Sequence, residues 1–151
     1  MAIIKILTDP NPVLRQKCEP VKKINAGVLR VLDNMKETMH AAEGVGLAAP
    51  QIGVLKRMVV VELGGLSAEL INPIILDSEG EQNGSEACLS VPNYVGEVTR
   101  AQKVKIKALD RAGQEFIIEV ENHQARCLQH ELDHLDGILY TDLASRVVED
   151  F

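Results

Sequence analysis

From Asn25 to about Ala42, apolar side chains recur at three- and four-residue steps, at Val28, Leu32, Met35 and Met39. Arg30, Asp33, Lys36 and Glu37 fall mostly elsewhere on the wheel, which predicts an amphipathic helix with one buried stripe. Asn25 is suited to cap its start, because a short side-chain carbonyl can accept a free backbone N–H of the first turn; Gly44 is suited to stop it before a loop that runs to Gly53. Ahead of this helix, Pro10, Pro12 and Pro20 surround Val13, Leu14 and Arg15. Proline blocks regular pairing, so an irregular lead segment wrapping the surface is expected there.

Past the loop the apolar period shortens. Met58 to Leu63 and Leu70 to Leu76 are runs rich in β-branched residues, and Asn72-Pro73 interrupts the second, which places that strand near a sheet edge. Lys103 to Ala108 alternates strictly, with Val104, Ile106 and Ala108 on one face and lysines on the other, so one face is wet. Asp110-Arg111-Ala112-Gly113 supplies turn residues before Phe116 to Val120, which predicts a β-hairpin. A second helix is expected from about Asn122 to Asp136, stopped by Gly137. With no internal repeat or linker, residues 1–151 read as a single domain of the α+β class: short, mainly antiparallel strands around a central helix, with the amphipathic helix N-terminal to them.

Composition narrows the function. With 46% hydrophobic and 25% charged residues, the 151-residue chain can bury a core without disulfides. Its 16 basic and 22 acidic residues leave a net charge of −6, with no basic block and only two Tyr and two Phe, which argues against nucleic acid as a partner. No apolar run reaches the roughly 18 residues of a membrane helix. Met1 to Pro10 lacks a basic head and a cleavage site, so a cytoplasmic protein is expected. Three scattered cysteines exclude a disulfide framework and leave room for a metal site.

The sharpest chemical signal is His130-Glu131-Leu132-Asp133-His134. Spacing of i, i+4 on a helix puts two imidazoles on one face, one turn apart, where both can reach a single ion. Glu131, beside the first of them, can take a proton from an attacking water and return it to a leaving group. A catalytic site of this kind needs a third ligand, and Cys88, Cys18, Cys127, His40, His123 or a carboxylate are all candidates. Cys127 falls three residues before His130, where a short side chain more often packs against the core. Cys88 lies in Glu86-Ala87-Cys88-Leu89-Ser90, between Asn83-Gly84 and Val91-Pro92, where a loop or strand can carry a thiolate to the helix.

Three segments together resemble one family. Gly44-Val45-Gly46-Leu47-Ala48-Ala49-Pro50-Gln51, then Glu86 to Ser90, then Gln129 to His134, are similar in order and spacing to the three motifs of peptide deformylases. The likeness extends to Asp9-Pro10 with Val13-Leu14-Arg15, and to the hairpin sequence from Lys103 to Gly113. It implies hydrolysis of the formyl group from formyl-methionyl nascent peptides, releasing formate. It also implies Cys88, His130 and His134 as metal ligands and Glu131 as the acid and base. Gln51 and the backbone N–H of Leu89 match the groups that hold the formyl oxygen; a preorganised donor of this kind contributes roughly 3 kcal/mol. Gly44 and Gly46 would let backbone approach an extended substrate, and Val45 would line the methionine pocket. One thiolate and two imidazoles suit Zn²⁺ or Fe²⁺. Intrinsic affinity favours zinc, while the resemblance favours Fe²⁺ in cells, with Zn²⁺ or Ni²⁺ found after purification.

The sequence departs from the family at a few positions. Ala87 replaces a motif glycine, which is nearly silent if the position is extended, as its strand-like surroundings suggest. His123 stands where relatives carry a bulky apolar residue and is read as a partly exposed histidine near a helix start, and His40 as a helix-end residue. Arg100 and Asp133 resemble a family pair that orients the helix. The sequence ends at Phe151 without the basic C-terminal helix that many bacterial relatives use near the ribosome exit, so ribosome association through that element is not expected.

Overall fold

A computed structural model describes residues 2–150. In chain order the elements are α1 (Ala26–Ala41), β1 (Gly46–Ala48), β2 (Met58–Leu63), β3 (Leu66–Glu79), β4 (Gln82–Cys88), β5 (Val91–Arg100), β6 (Lys103–Leu109), β7 (Glu115–Glu121), α2 (Asn122–His134), α3 (Tyr140–Leu143) and β8 (Arg146–Glu149). Single 3₁₀ turns cover Pro12–Arg15 and Ala49–Ile52. The strands form two antiparallel sheets, one in the order β1-β2-β3-β6-β7 and one in the order β4-β5-β8. The architecture is mixed α/β with antiparallel strands.

The near-continuous apolar run of β2 has a direct cause: both of its faces are covered. Val59 and Val61 point to one side, into a cluster with Leu70, Val104, Ile106 and the α2 residues Ala125, Leu128 and Leu132. Met58 and Val60 point to the other side, where Leu32, Met35 and Met39 of α1 pack with Leu47 and Ile71. The larger sheet is therefore sandwiched between the two long helices. A third cluster, of Leu14, Val91, Val98, Leu139 and Tyr140, backs the smaller sheet.

Asn25 caps α1 by accepting from the N–H of Val28 at 3.0 Å. At the exit, the left-handed residue is Glu43 (φ 57), not Gly44. Gly44 matters for another reason: a Cβ there would sit 2.8 Å from Leu89 Cδ1, so that side chain would have to shift. Gly137 (φ 75) does end the second helix segment, and a side chain there would strike the carbonyl of Arg15 at 2.4 Å.

Two expectations require correction. β3 is twice as long as the run Leu70 to Leu76 and lies in the middle of its sheet, not near an edge. Its proline is tolerated because the register shifts between Ile71 and Ile74, a bulge that needs no ladder donor at Pro73. Asn72 takes the left-handed conformation beside it (φ 53) and binds the backbone of Val21 in both directions, at 2.8 and 2.9 Å. The lead segment, in turn, does more than wrap the surface. Leu14 is fully buried, and the N–H of Cys18 bonds the carbonyl of Leu135 at 2.8 Å.

Candidate active site

The helix α2 carries His130, Glu131 and His134, all buried, between the two sheets, and β4 ends on Cys88 beside them. The ligating atoms of Cys88, His130 and His134 lie within 4.8 Å of one another. Cys88 Sγ is 3.3 Å from His134 Nε2. Among the described residues no other candidate ligand joins this set. Cys18 lies in the core cluster and its thiol is pushed up to about 11, chiefly by burial. Cys127 lines the same cavity as Cys88, but burial, then the charges of Glu131 and Glu86, hold its thiol far above the usual range. His40 sits on the exposed side of α1 against Glu62, and His123 is exposed at the cavity rim.

The donor set fits a divalent metal. His130 Nδ1 is 2.8 Å from Glu86 Oε1, so its ring is oriented with Nε2 free to face the thiol. Burial, then the positive charges of His130 and Arg100, push His134 down to about 3, which keeps its ring in the neutral form that ligates. Burial alone would lower His130 too, but hydrogen bonds to Cys88 and Glu86 raise it to about 10.

Glu86 organises the base of the site. Its carboxylate accepts from Arg100 Nε and Nη2 at 2.8 Å each, from Arg126 Nη1 at 2.7 Å, and from His130. Arg100 also pairs with Asp133, so the pair expected to orient the helix is present, with Glu86 as its larger partner. Neither Glu86 nor Arg126 was singled out from the sequence. The available signal was a charged residue at position 126, four residues before His130 and so on the helix face that points inward.

Glu131 is buried, with Oε1 lacking any partner, and burial is the main reason its carboxyl is raised to about 7; the charge of His130 opposes this and that of Glu86 adds to it. Gln51 is held at both ends of its amide: Oε1 accepts from the N–H of Ala48 at 2.9 Å, and Nε2 donates to Ser90 Oγ at 3.0 Å while lying 3.7 Å from Cys88 Sγ. Leu89 follows Cys88 in the tight turn to β5. Gln51, Leu89 and Glu131 line a cavity of about 330 Å³ whose walls also include Gly44, Val45, Gly46 and Cys127. Ala87 is exposed and extended, without positive φ, at a bulge between Glu86 and Cys88. The extended reading of that position holds.

Fold and site together define a hydrolase in which a buried HExxH helix lies against a thiol-bearing strand. The family model described as polypeptide deformylase matches residues 3–149. The peptide deformylase of Syntrophomonas wolfei subsp. wolfei is 60% identical over 144 residues, covering 95% of each chain. The solved peptide deformylase from Legionella pneumophila superposes with a TM-score of 0.92 at 44% identity, covering 95% of this chain and 86% of that one. The Ehrlichia chaffeensis enzyme in complex with actinonin gives 0.93 at 39% identity, covering 97% and 91%. This chain belongs to the polypeptide deformylase family, enzymes that remove N-terminal formyl groups. Among the described residues no helix is long and apolar enough to cross a membrane.

Proposed function

We propose that this chain, as one catalytic domain, hydrolyses the formyl group from the formyl-methionine that begins newly made polypeptides, releasing formate. The observation that carries the reading is that Gln51 Nε2 lies 3.7 Å from Cys88 Sγ in the same cavity that the buried Glu131 lines. Cys88, His130 and His134 would hold a divalent cation, which would supply Lewis acidity at the formyl group. Glu131 takes a proton from the attacking water and delivers it to the peptide nitrogen as the carbon–nitrogen bond breaks. Gln51 Nε2 and the backbone N–H of Leu89 donate to the formyl oxygen as it gains negative charge.

The cavity also suits an extended peptide. β1 and β4 are edge strands of their sheets, and both contribute to the walls, so unpaired backbone groups flank the cavity on two sides. Gly44 and Gly46 keep one wall low, and Val45, 45% exposed, offers an apolar contact for a methionine side chain. The reading puts the enzyme in the cytoplasm, acting on nascent chains, with Fe²⁺ as the working metal and Zn²⁺ or Ni²⁺ as replacements during purification. Metal analysis of anaerobically purified, fully active protein that found zinc alone would remove the iron assignment.

Formate release from formyl-Met-Ala-Ser tests the function. Native protein is expected to release formate, and the Glu131→Ala variant to lose nearly all of that activity. No formate from the native enzyme, or cleavage of the unformylated peptide instead, would overturn the reading.

A further inference from the structure

We infer that Arg126 is a positioning residue for the metal centre, fixing the distance between the strand that carries Cys88 and the helix that carries His130 and His134. The inference rests on the metal reading above. Arg126 leaves α2 one turn before His130 and is 5% exposed, yet its guanidinium does not point to solvent. Its Nη1 donates to Glu86 Oε2 at 2.7 Å and to the carbonyl of Val98 at 2.9 Å, and reaches the carbonyl of Gly84 at 3.5 Å. Nη2 donates to the carbonyl of Gln82 at 3.3 Å. One side chain of the helix therefore grips β4 at two carbonyls and β5 at a third.

The strand is shaped to receive it. A Cβ on Gly84 would lie 3.1 Å from Nη2, 3.2 Å from Cζ and 3.3 Å from Nε, so the guanidinium lies close along the backbone and a side chain there would push it by a few tenths of an ångström. Glu86, whose other oxygen meets His130 Nδ1, stands two residues from Cys88 on the same strand. Arg126 thus acts on two of the ligands without touching either: through Glu86 on the orientation of His130, and through the carbonyls of β4 on the position of Cys88 relative to α2. A planar fork with several donors in fixed directions suits this task; a lysine projects its three donors from a single nitrogen and cannot span the same set of acceptors.

The test uses the full-length protein loaded with Co²⁺, whose absorption reports thiolate ligation and coordination geometry. Arg126→Met keeps the length and removes the donors. It is expected to alter the cobalt spectrum, to weaken Co²⁺ retention against a chelator by about 10- to 100-fold, and to lower kcat with KM within about threefold; Arg126→Lys is expected to recover part of each. Gly84→Ala leaves the charge in place but crowds the guanidinium, and carries the same test should Arg126→Met fail to fold. An unchanged spectrum and chelator affinity in a folded Arg126→Met, or in Gly84→Ala where the former does not fold, would overturn the inference. Native protein that showed no thiolate-to-cobalt band would overturn the metal reading itself.

Discussion

A methyl group on Gly46 would stand 2.7 Å from Glu131 Oε2 and 3.0 Å from its Cγ. The glycine of the first motif and the carboxylate of the third are thus in contact, and the absence of a side chain at one sets the position of the other. Gly46→Ala is expected to destabilise the protein by about 1–3 kcal/mol through overpacking and to lower kcat at least tenfold by moving the carboxyl. Thermal unfolding and formate release on one preparation check both effects. Full turnover would show that the carboxyl tolerates displacement.

Gln51 is oriented by Ala48 and Ser90 before any substrate arrives. Gln51→Ala should lower kcat by roughly 10²- to 10³-fold, about 3 kcal/mol of barrier, with little change in KM, because its donor acts mainly on charge that develops during the reaction. A variant that raised KM alone would assign the amide to substrate binding.

Glu86 is held near 2: burial works against its ionisation, but hydrogen bonds from Arg100 and His130, and their charges, outweigh it. A folded-state pKa below the ordinary 4.5 gives a stabilising contribution that is present above pH 4.5 and lost as pH falls towards 2. Glu86→Gln should lack that acid limb. At neutral pH it should also cost about 3–5 kcal/mol, since two buried guanidinium groups lose their shared counter-charge. Urea unfolding at a series of pH values measures both.

Glu131 shows the opposite sign. In the metal-free protein its pKa is raised from 4.5 to about 7, with burial the largest cause, so the folded state binds that proton more tightly than the unfolded chain does. The stability this contributes is full below pH 4.5 and is lost as pH rises through 7. Metal-free Glu131→Gln should gain on native protein across that window, measured by denaturant unfolding at pH 5 and pH 8. Equal differences at the two values would mean that the carboxyl titrates normally.

Ala87 already has the extended backbone of β4 and an exposed side chain. Ala87→Gly should leave formate release and metal affinity within twofold of native and cost about 0.5–1 kcal/mol of stability, the usual effect of glycine inside a strand. A large rise in activity would show that the methyl group impairs the site.

Much of this molecule was legible from one-dimensional pattern. The stripe Leu32, Met35 and Met39 is buried as its spacing requires, and the alternation of Val104, Ile106 and Ala108 is an alternation of depth. Such periods survive because an element's own geometry repeats them. β1, β5 and β8 were not legible, and of β4 only the stretch around Ala87 read as strand-like. β1 and β8 are three and four residues long, and β4 places Gly84 and polar side chains at positions where most strands show apolar alternation. Their pairing comes from partners far along the chain: Tyr94 to Gly96 of β5, for example, meet Val147 to Glu149. β3 was misplaced for a related reason, since a proline that reads as an edge signal is accommodated at an internal bulge.

For the site, the sequence alone determined what lies on one helix: two imidazoles a turn apart with a carboxylate beside the first, because 3.6 residues per turn fixes that geometry without reference to anything else. It also supplied the resemblance that named Cys88 and Gln51. Only the tertiary structure decided what those residues meet. The 3.3 Å approach of Cys88 to His134, the four hydrogen bonds on Glu86 and the clearance of Gly46 around Glu131 all join different elements, 14 to 85 residues apart in the chain. Charges buried at that junction can exist only because their partners arrive from other elements, and no local pattern specifies an arrival.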